Sequence, residues 1–134
     1  MRVLLDTNVL IAAFISRGTC HELLEHVAHN HQIVSSKYIL DELRDRLRNK
    51  FRYSEAEVRD AVRLIADISE LVTPVDLEIP AVSDTEDLPI LGTAIAGACR
   101  CIVTGDKDLQ ELGQVEGIPI LSPSGFWQFE DLEL

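Results

Sequence analysis

The sequence predicts an α/β fold, and three observations carry that prediction. Short apolar runs alternate with segments of helical periodicity along the whole chain. Two of the runs, Val3-Leu4-Leu5 and Cys101-Ile102-Val103, are followed shortly by an acid, Asp6 and Asp106. A helix is expected to begin just after each acid. In an open parallel sheet, side chains at such strand tips converge on one crevice.

The elements follow in order. Residues 2–5 read as a buried strand. The apolar run 9–15 opens a helix packed on the sheet, and Arg17-Gly18-Thr19 interrupts it. Thr19 is placed to cap a second helix reaching residue 30, with His21, Glu22, Glu25 and His29 on its wetter side. Gln32-Ile33-Val34 is a short strand. Ser35 or Ser36 caps a helix over 38–51, whose stripe is Ile39, Leu40, Leu43 and Leu47. Ser54-Glu55-Ala56-Glu57 is a capping box that starts a helix to residue 70. Residues 71–75 read as a strand, which Pro74 assigns to a sheet edge. A polar connector spans 76–86. Pro89 fits the first turn of a helix to residue 98. A strand at 101–103, a short helix at 107–112 and a last strand at 118–121 complete the pattern. Phe126, Trp127 and Phe129 read as terminal core packing, since aromatic side chains carry large apolar area.

The chain has 134 residues, 46% of them hydrophobic, which suits one domain over 1–134. A chain of this size buries roughly 68–70% of its unfolded surface and needs no disulfide. Asp6 breaks the first apolar run too early for a signal peptide. No later apolar run is long enough to span a bilayer. A soluble, cytoplasmic protein is therefore expected. Cys20, Cys99 and Cys101 lack zinc or redox spacing and read as small hydrophobes. A net charge of −11 argues against nonspecific wrapping of nucleic acid. Five of the twelve basic residues, however, crowd into 44–52: Arg44, Arg46, Arg48, Lys50 and Arg52. Such a patch can steer a polyanion to one face.

The candidates for chemistry are acids: Asp6, Glu42, one of Asp84, Glu86 and Asp87, then Asp106 with Asp108. Taken singly, each Asp serves equally well as a helix N-cap, and Glu42 as a solvated helix residue. Their joint placement changes the weighing. Unit charges about 4 Å apart repel by roughly 4 kcal/mol at an effective dielectric of 20. Several such pairs raise pKa values or destabilise the fold unless a cation neutralises them. Hard oxygen ligands suit Mg²⁺ or Mn²⁺ rather than Zn²⁺.

Four segments carry a resemblance: Leu4-Leu5-Asp6-Thr7-Asn8-Val9-Leu10-Ile11, Ile39-Leu40-Asp41-Glu42-Leu43, Asp84-Thr85-Glu86-Asp87-Leu88-Pro89-Ile90-Leu91, and Ile102-Val103-Thr104-Gly105-Asp106-Lys107-Asp108-Leu109. Together they resemble the PIN-domain ribonucleases, in particular the VapC-like toxins of prokaryotic toxin–antitoxin pairs. The resemblance implies a three-layer α/β/α fold with a five-stranded parallel sheet ordered 3-2-1-4-5. It implies that Asp6, Glu42, Asp87 and Asp106 bind Mg²⁺ or Mn²⁺, with Asp108 reaching the ion through water or merely starting its helix. Asn8 and Thr104 then orient carboxylates or water, and Asp84 and Glu86 compete with Asp87 for the third position. The implied activity is metal-assisted endonucleolytic hydrolysis of RNA, leaving 5′-phosphate and 3′-hydroxyl ends. An antitoxin partner and a homodimer are implied as well.

Other features are weighed beside this. Arg44, Arg46, Arg48 and Lys50 follow Glu42 closely and are expected to contact RNA phosphates, with a solvated face or a docking surface for an acidic partner as the alternatives. Among the histidines only His26 and His29 have spacing to share a helix face, and no zinc-spaced cysteine follows, so no metal is assigned to them. A receiver-like signalling domain would need an acidic pair after the first strand, and Asp6 has no acidic neighbour. A catalytically silent scaffold for RNA or a partner is the remaining alternative.

Overall fold

The structure, a computed structural model, describes residues 1–133. Strand β1 (Arg2–Leu5) leads into helix α1 (Thr7–Ile15) and helix α2 (Thr19–Asn30). Strand β2 (Gln32–Ser35) is followed by α3 (Lys37–Asn49), α4 (Glu55–Ile68) and strand β3 (Ser69–Leu71). After a connector and one 3₁₀ turn (Thr85–Asp87) come α5 (Leu88–Ala96), β4 (Cys101–Val103) and α6 (Lys107–Leu112). The chain then forms β5 (Gln114–Val115), β6 (Ile118–Leu121) and α7 (Pro123–Glu133).

The expected α/β architecture is present, with helices flanking a mostly parallel sheet. The sheet has six strands in the order β3-β2-β1-β4-β6-β5. Its five parallel members reproduce the expected order, with β6 in the fifth place. The sixth strand, β5, pairs antiparallel with β6 through a two-residue turn at Glu116-Gly117. Both turn residues have positive φ (47° and 80°), as a type I′ hairpin requires. A Glu in the first turn position hid this hairpin, because Asn or Asp is the usual signal there.

Central strands β1 and β4 are buried on both faces. Val3, Leu4, Cys101, Ile102 and Val103 have no solvent exposure at all, which explains their unbroken apolar runs. The helical stripes follow the periodicity: Ile39, Leu40, Leu43 and Leu47 on α3 are buried, as are Val58, Val62 and Ile65 of the expected α4 stripe, while its fourth member, Ala66, is partly buried. Ser36 caps α3, while Ser54 and Glu57 close the capping box of α4 reciprocally at 2.9 and 3.1 Å. Helix α2 differs from expectation. Gly18 holds its N-cap position without a side-chain bond, and Thr19 is the first helical residue. Cys99 and Cys101 are buried where α5 gives way to β4, and burial pushes both thiols up to about 12. Among the described residues no helix is long and apolar enough to cross a membrane.

Strand β3 ends earlier than expected, at Leu71 rather than Val75, although it is the edge strand. Val72 still donates to the Ser35 carbonyl at 3.0 Å, and the chain then leaves the sheet to lie against α5. There the Val75 N–H donates to the Gly92 carbonyl at 3.2 Å. A Cβ at Gly92 would overlap the Val75 carbonyl oxygen. Helix propensity alone predicts that Gly92→Ala stabilises by about 1 kcal/mol. The close approach reverses that sign. Gly92→Ala is expected to cost about 1–3 kcal/mol, the usual range for an overpacked site. Urea unfolding of the two proteins measures it, and a stabilised variant would show that the connector is not held on α5.

Candidate metal and nuclease site

The strand order places β1 and β4 side by side, with β2 beyond β1 and β6 beyond β4. This is the switch point of the sheet, and the crevice lies beyond the C-terminal strand ends. Asp6 follows β1 and Asp106 follows β4 by three residues. The register Leu5↔Val103 fixes their relation. The Asp6 N–H extends the ladder by donating to the Val103 carbonyl at 2.9 Å.

A small cavity of about 90 Å³ opens there, lined by Asp6, Asn8, Glu42, Arg46, Asp84, Glu86, Asp87, Ile90 and Asp106. Four separate segments thus deliver the expected quartet to one place. Asp6 comes from the end of β1 and Glu42 from the second turn of α3. Asp87 comes from the 3₁₀ turn before α5, and Asp106 from the loop before α6. Asp6 and Asp106 also cap α1 and α6, accepting from Thr7 N–H at 2.7 Å and Asp108 N–H at 2.9 Å. The capping reading and the cavity placement therefore hold together, because capping takes one oxygen of each carboxylate.

Asp6 is the most buried of the acids, 4% exposed. Its second oxygen accepts from Thr104 Oγ1 at 2.7 Å and from Asn8 Nδ2 at 3.4 Å. Thr104 Oγ1 in turn accepts from the Asp106 N–H at 3.0 Å, and Asn8 Oδ1 accepts from the Gly105 N–H at 3.1 Å. Asn8 and Thr104 thus tie the two strand-end acids into one network. Thr7 belongs to it as well, since its hydroxyl donates to Glu42 Oε1. Thr7 is a residue of the site that the sequence pattern did not single out. Its position between Asp6 and Asn8 was the available signal, because the first residue of α1 projects beside its own cap.

All three contenders for the third acid line the cavity, but they differ in burial. Asp84 and Glu86 are exposed, whereas Asp87 is half-buried. Asp84 caps the 3₁₀ turn, accepting from the Glu86 N–H at 2.9 Å. Asp108 is exposed on α6 and is not among the lining residues. The basic run is divided by the helix. Residues 42, 46 and 50 share one face of α3, and 44 and 48 another. Arg46 reaches Glu42 at 3.2 Å inside the cavity, and Lys50 lines the adjoining groove with Asn8 and Arg46. Arg44 turns to Asp41 at 2.7 Å and Arg48 to Glu55 at 2.6 Å, on a different surface depression.

Six carboxylates and one guanidinium line the cavity, and its electrostatics record the crowding. Asp87 is pushed up to about 6, first by burial and then by the charges of Asp106, Asp84, Asp6 and Glu42. Burial also raises the Asp6 carboxyl, and hydrogen bonds from Thr104 and Thr7 offset this only in part. The donors are all hard oxygens, with no His or Cys among the lining residues. That set fits Mg²⁺ or Mn²⁺ and does not favour Zn²⁺.

The Asp87 shift makes a prediction about the metal-free protein. Its carboxyl holds a proton more tightly folded than unfolded, so this group's stabilisation is complete below its ordinary value of 3.8 and lost as pH rises through about 6. Asp87→Asn is therefore expected to raise Tm over wild type at about pH 7.5, with the difference vanishing below about pH 4. Thermal unfolding of metal-free protein across that range checks it. A difference independent of pH would mean that Asp87 carries no such load.

Among the solved structures that share this fold are two VapBC structures. VapBC2 from Rickettsia felis, bound to a DNA fragment from its promoter, superposes with a TM-score of 0.64 at 18% identity, covering 91% of this chain and 98% of that one. VapBC-1 from nontypeable Haemophilus influenzae gives a TM-score of 0.64 at 17% identity, covering 92% and 99%. No curated protein matches in sequence. At that identity the structural likeness speaks for the fold alone. The sequence itself goes further: residues 2–108, which contain all four converging segments, match the PIN domain, and the chain belongs to the PIN-domain family.

Proposed function

We propose that the protein is a metal-dependent endoribonuclease, the toxin of a type II toxin–antitoxin pair acting in the cytoplasm. The observation that carries this is the convergence of Asp6, Glu42, Asp87 and Asp106 in one cavity at the sheet's switch point. These four would hold Mg²⁺ or Mn²⁺. A divalent ion there would supply Lewis acidity, lowering the pKa of water and offsetting charge on phosphate oxygens.

The rest is the work of the chain's own residues. Thr104, Asn8 and Thr7 hold the carboxylates in place by the hydrogen bonds described above, as outer partners of metal ligands do. Arg46 and Lys50, on the cavity's side of α3, are positioned to meet the RNA backbone. Arg44 and Arg48 are engaged by Asp41 and Glu55 and contribute to the wider field only. Hydrolysis adds water at phosphorus in line with the departing 3′ oxygen. The P–O3′ bond breaks, giving a 5′-phosphate and a 3′-hydroxyl. The cavity lining contains no Ser, Cys or His, so it offers no hydroxyl, thiol or imidazole nucleophile.

The two VapBC neighbours support an antitoxin partner. An apolar groove between α1, α2 and α4, lined by Phe14, Leu24, Ala28, Leu64 and Ile68, offers surface for it or for a homodimer.

Purified protein is expected to cleave a mixed RNA pool with Mg²⁺ or Mn²⁺ and to stop in EDTA. Asp6→Asn should reduce the rate by more than the roughly 10–100-fold that loss of an outer-shell partner costs. Folded, inhibitor-free protein that cleaves with neither ion would favour the silent scaffold instead. Arg46→Ala should weaken RNA binding and flatten its salt dependence by about one unit of slope, while Arg44→Ala should leave that slope nearly unchanged. Filter binding across a salt series separates the two.

A further inference from the structure

Three metal-ligating side chains meet at the other end of the sheet, far from the acidic cavity along the strands. His26 lies on α2, His31 joins α2 to β2, and Glu130 lies on α7. Glu130 Oε2 is 2.7 Å from His26 Nε2 and 2.5 Å from His31 Nε2. The three ligand atoms all lie within 4.8 Å of one another. Sequence spacing had offered His26 with His29. Instead His29 bonds back to the Glu25 carbonyl, and the fold supplies His31 and Glu130.

The surroundings resemble a built site more than a surface ion pair. The side chains of His31 and Glu130 are only 8% and 10% exposed, and that of His26 is 31% exposed. The cluster is thus enclosed on two sides and reachable on the third. Trp127 packs against His26 at a tilt of 55° with ring centroids 4.7 Å apart, and Phe126 meets His31 edge-on at 6.0 Å. Each imidazole is also held at its far nitrogen. Met1 N lies 3.0 Å from His31 Nδ1, and Asn30 Nδ2 lies 3.3 Å from His26 Nδ1. Both rings therefore aim Nε2 at one carboxylate oxygen. Burial raises the Glu130 carboxyl, but the hydrogen bonds from His31 and His26 outweigh it and hold the group below its ordinary value.

We propose that His26, His31 and Glu130 form a second cation site that takes a late first-row divalent ion such as Zn²⁺. Two imidazoles, one carboxylate and one open position match the donor set that zinc accepts. Zinc bonds of about 2.0–2.1 Å in a tetrahedral arrangement need ligand atoms about 3.3 Å apart, so the present contacts have to open by less than about 1 Å. Loading moves each ring proton from Nε2 to Nδ1. The contacts from Met1 N to His31 and from Asn30 Nδ2 to His26 have to rearrange as it does so. The acidic cavity offers oxygen alone, so the two sites sort ions by ligand softness. An ion here would clamp α7 to the α2–β2 corner and take no part in phosphodiester chemistry.

The test uses the full chain with its acidic cavity silenced, as the Asp6→Asn/Asp106→Asn variant, and ZnCl₂ as the probe. Calorimetry should show one Zn²⁺ per chain, with a raised Tm and no displacement by excess Mg²⁺. Adding His26→Gln, at the most exposed of the three ligands, should weaken binding by more than roughly tenfold. Imidazole nitrogen spectra should show His26 and His31 passing to the Nδ1–H tautomer as zinc is added. If the silenced protein binds no zinc, or binds it equally well after His26→Gln and after Glu130→Gln, the cluster is a hydrogen-bonded clasp only and the proposal is wrong. Neither result depends on whether the protein cleaves RNA.

Discussion

Pairing of β1 with β4 is the constraint on which the rest of the molecule depends. The two strands are buried on both faces, and Leu5 stands opposite Val103. That register leaves Asp6 and Asp106 no alternative but to meet beyond the strand ends. Thr104 then bridges them, accepting from the Asp106 backbone and donating to the Asp6 carboxylate. Burial of apolar surface by the strands, at about 25 cal/mol per Å², supplies the driving force. The acids are carried along by it. Without this core, six like charges around one small cavity would separate.

Placement of opposing forces follows from that arrangement. Burial first, and mutual repulsion second, raise the Asp6 and Asp87 carboxyls. The compensating contacts are short-range and local: two helix caps, the Asn8 and Thr7 hydrogen bonds, and one guanidinium. A cavity that gathers charge is thereby built at the tips of the two central strands. The exposed acids Asp84 and Glu86 sit on the connector side, where the backbone is least constrained by the sheet.

Much of this was legible in the sequence because it rests on short-range patterns. Unbroken apolar runs marked β1 and β4, and the acids after them stand out because strand ends rarely need carboxylates. The α3 and α4 stripes and the Ser54/Glu57 box are local signals, and all proved structural. What escaped notice depended on the third dimension. The Glu116-Gly117 hairpin uses an uncommon residue at positive φ. Strand β3 ends early because residues after Val72 gain more by packing on α5. Arg44, Arg46, Arg48 and Lys50 look continuous in the sequence, but a helical turn of 3.6 residues divides them. Glu130 lies about a hundred residues from His26, so no spacing rule could have joined them. The choice among Asp84, Glu86 and Asp87 rested on register alone in the sequence, and burial now favours Asp87.

The ion pair between Arg46 and Glu42 has a consequence beyond neutralising charge. Glu42 is 14% exposed at its side chain, so its partner is not readily replaced by solvent. A cation claiming Glu42 would compete with Arg46 for it, and a polyanion claiming Arg46 would compete with Glu42. Were both to bind, the two events would be coupled, and linkage requires that coupling to be mutual and equal in size. Arg46 is the cavity's own counter-ion, so under the proposed function the binding of a cation and of a phosphate would be linked through it.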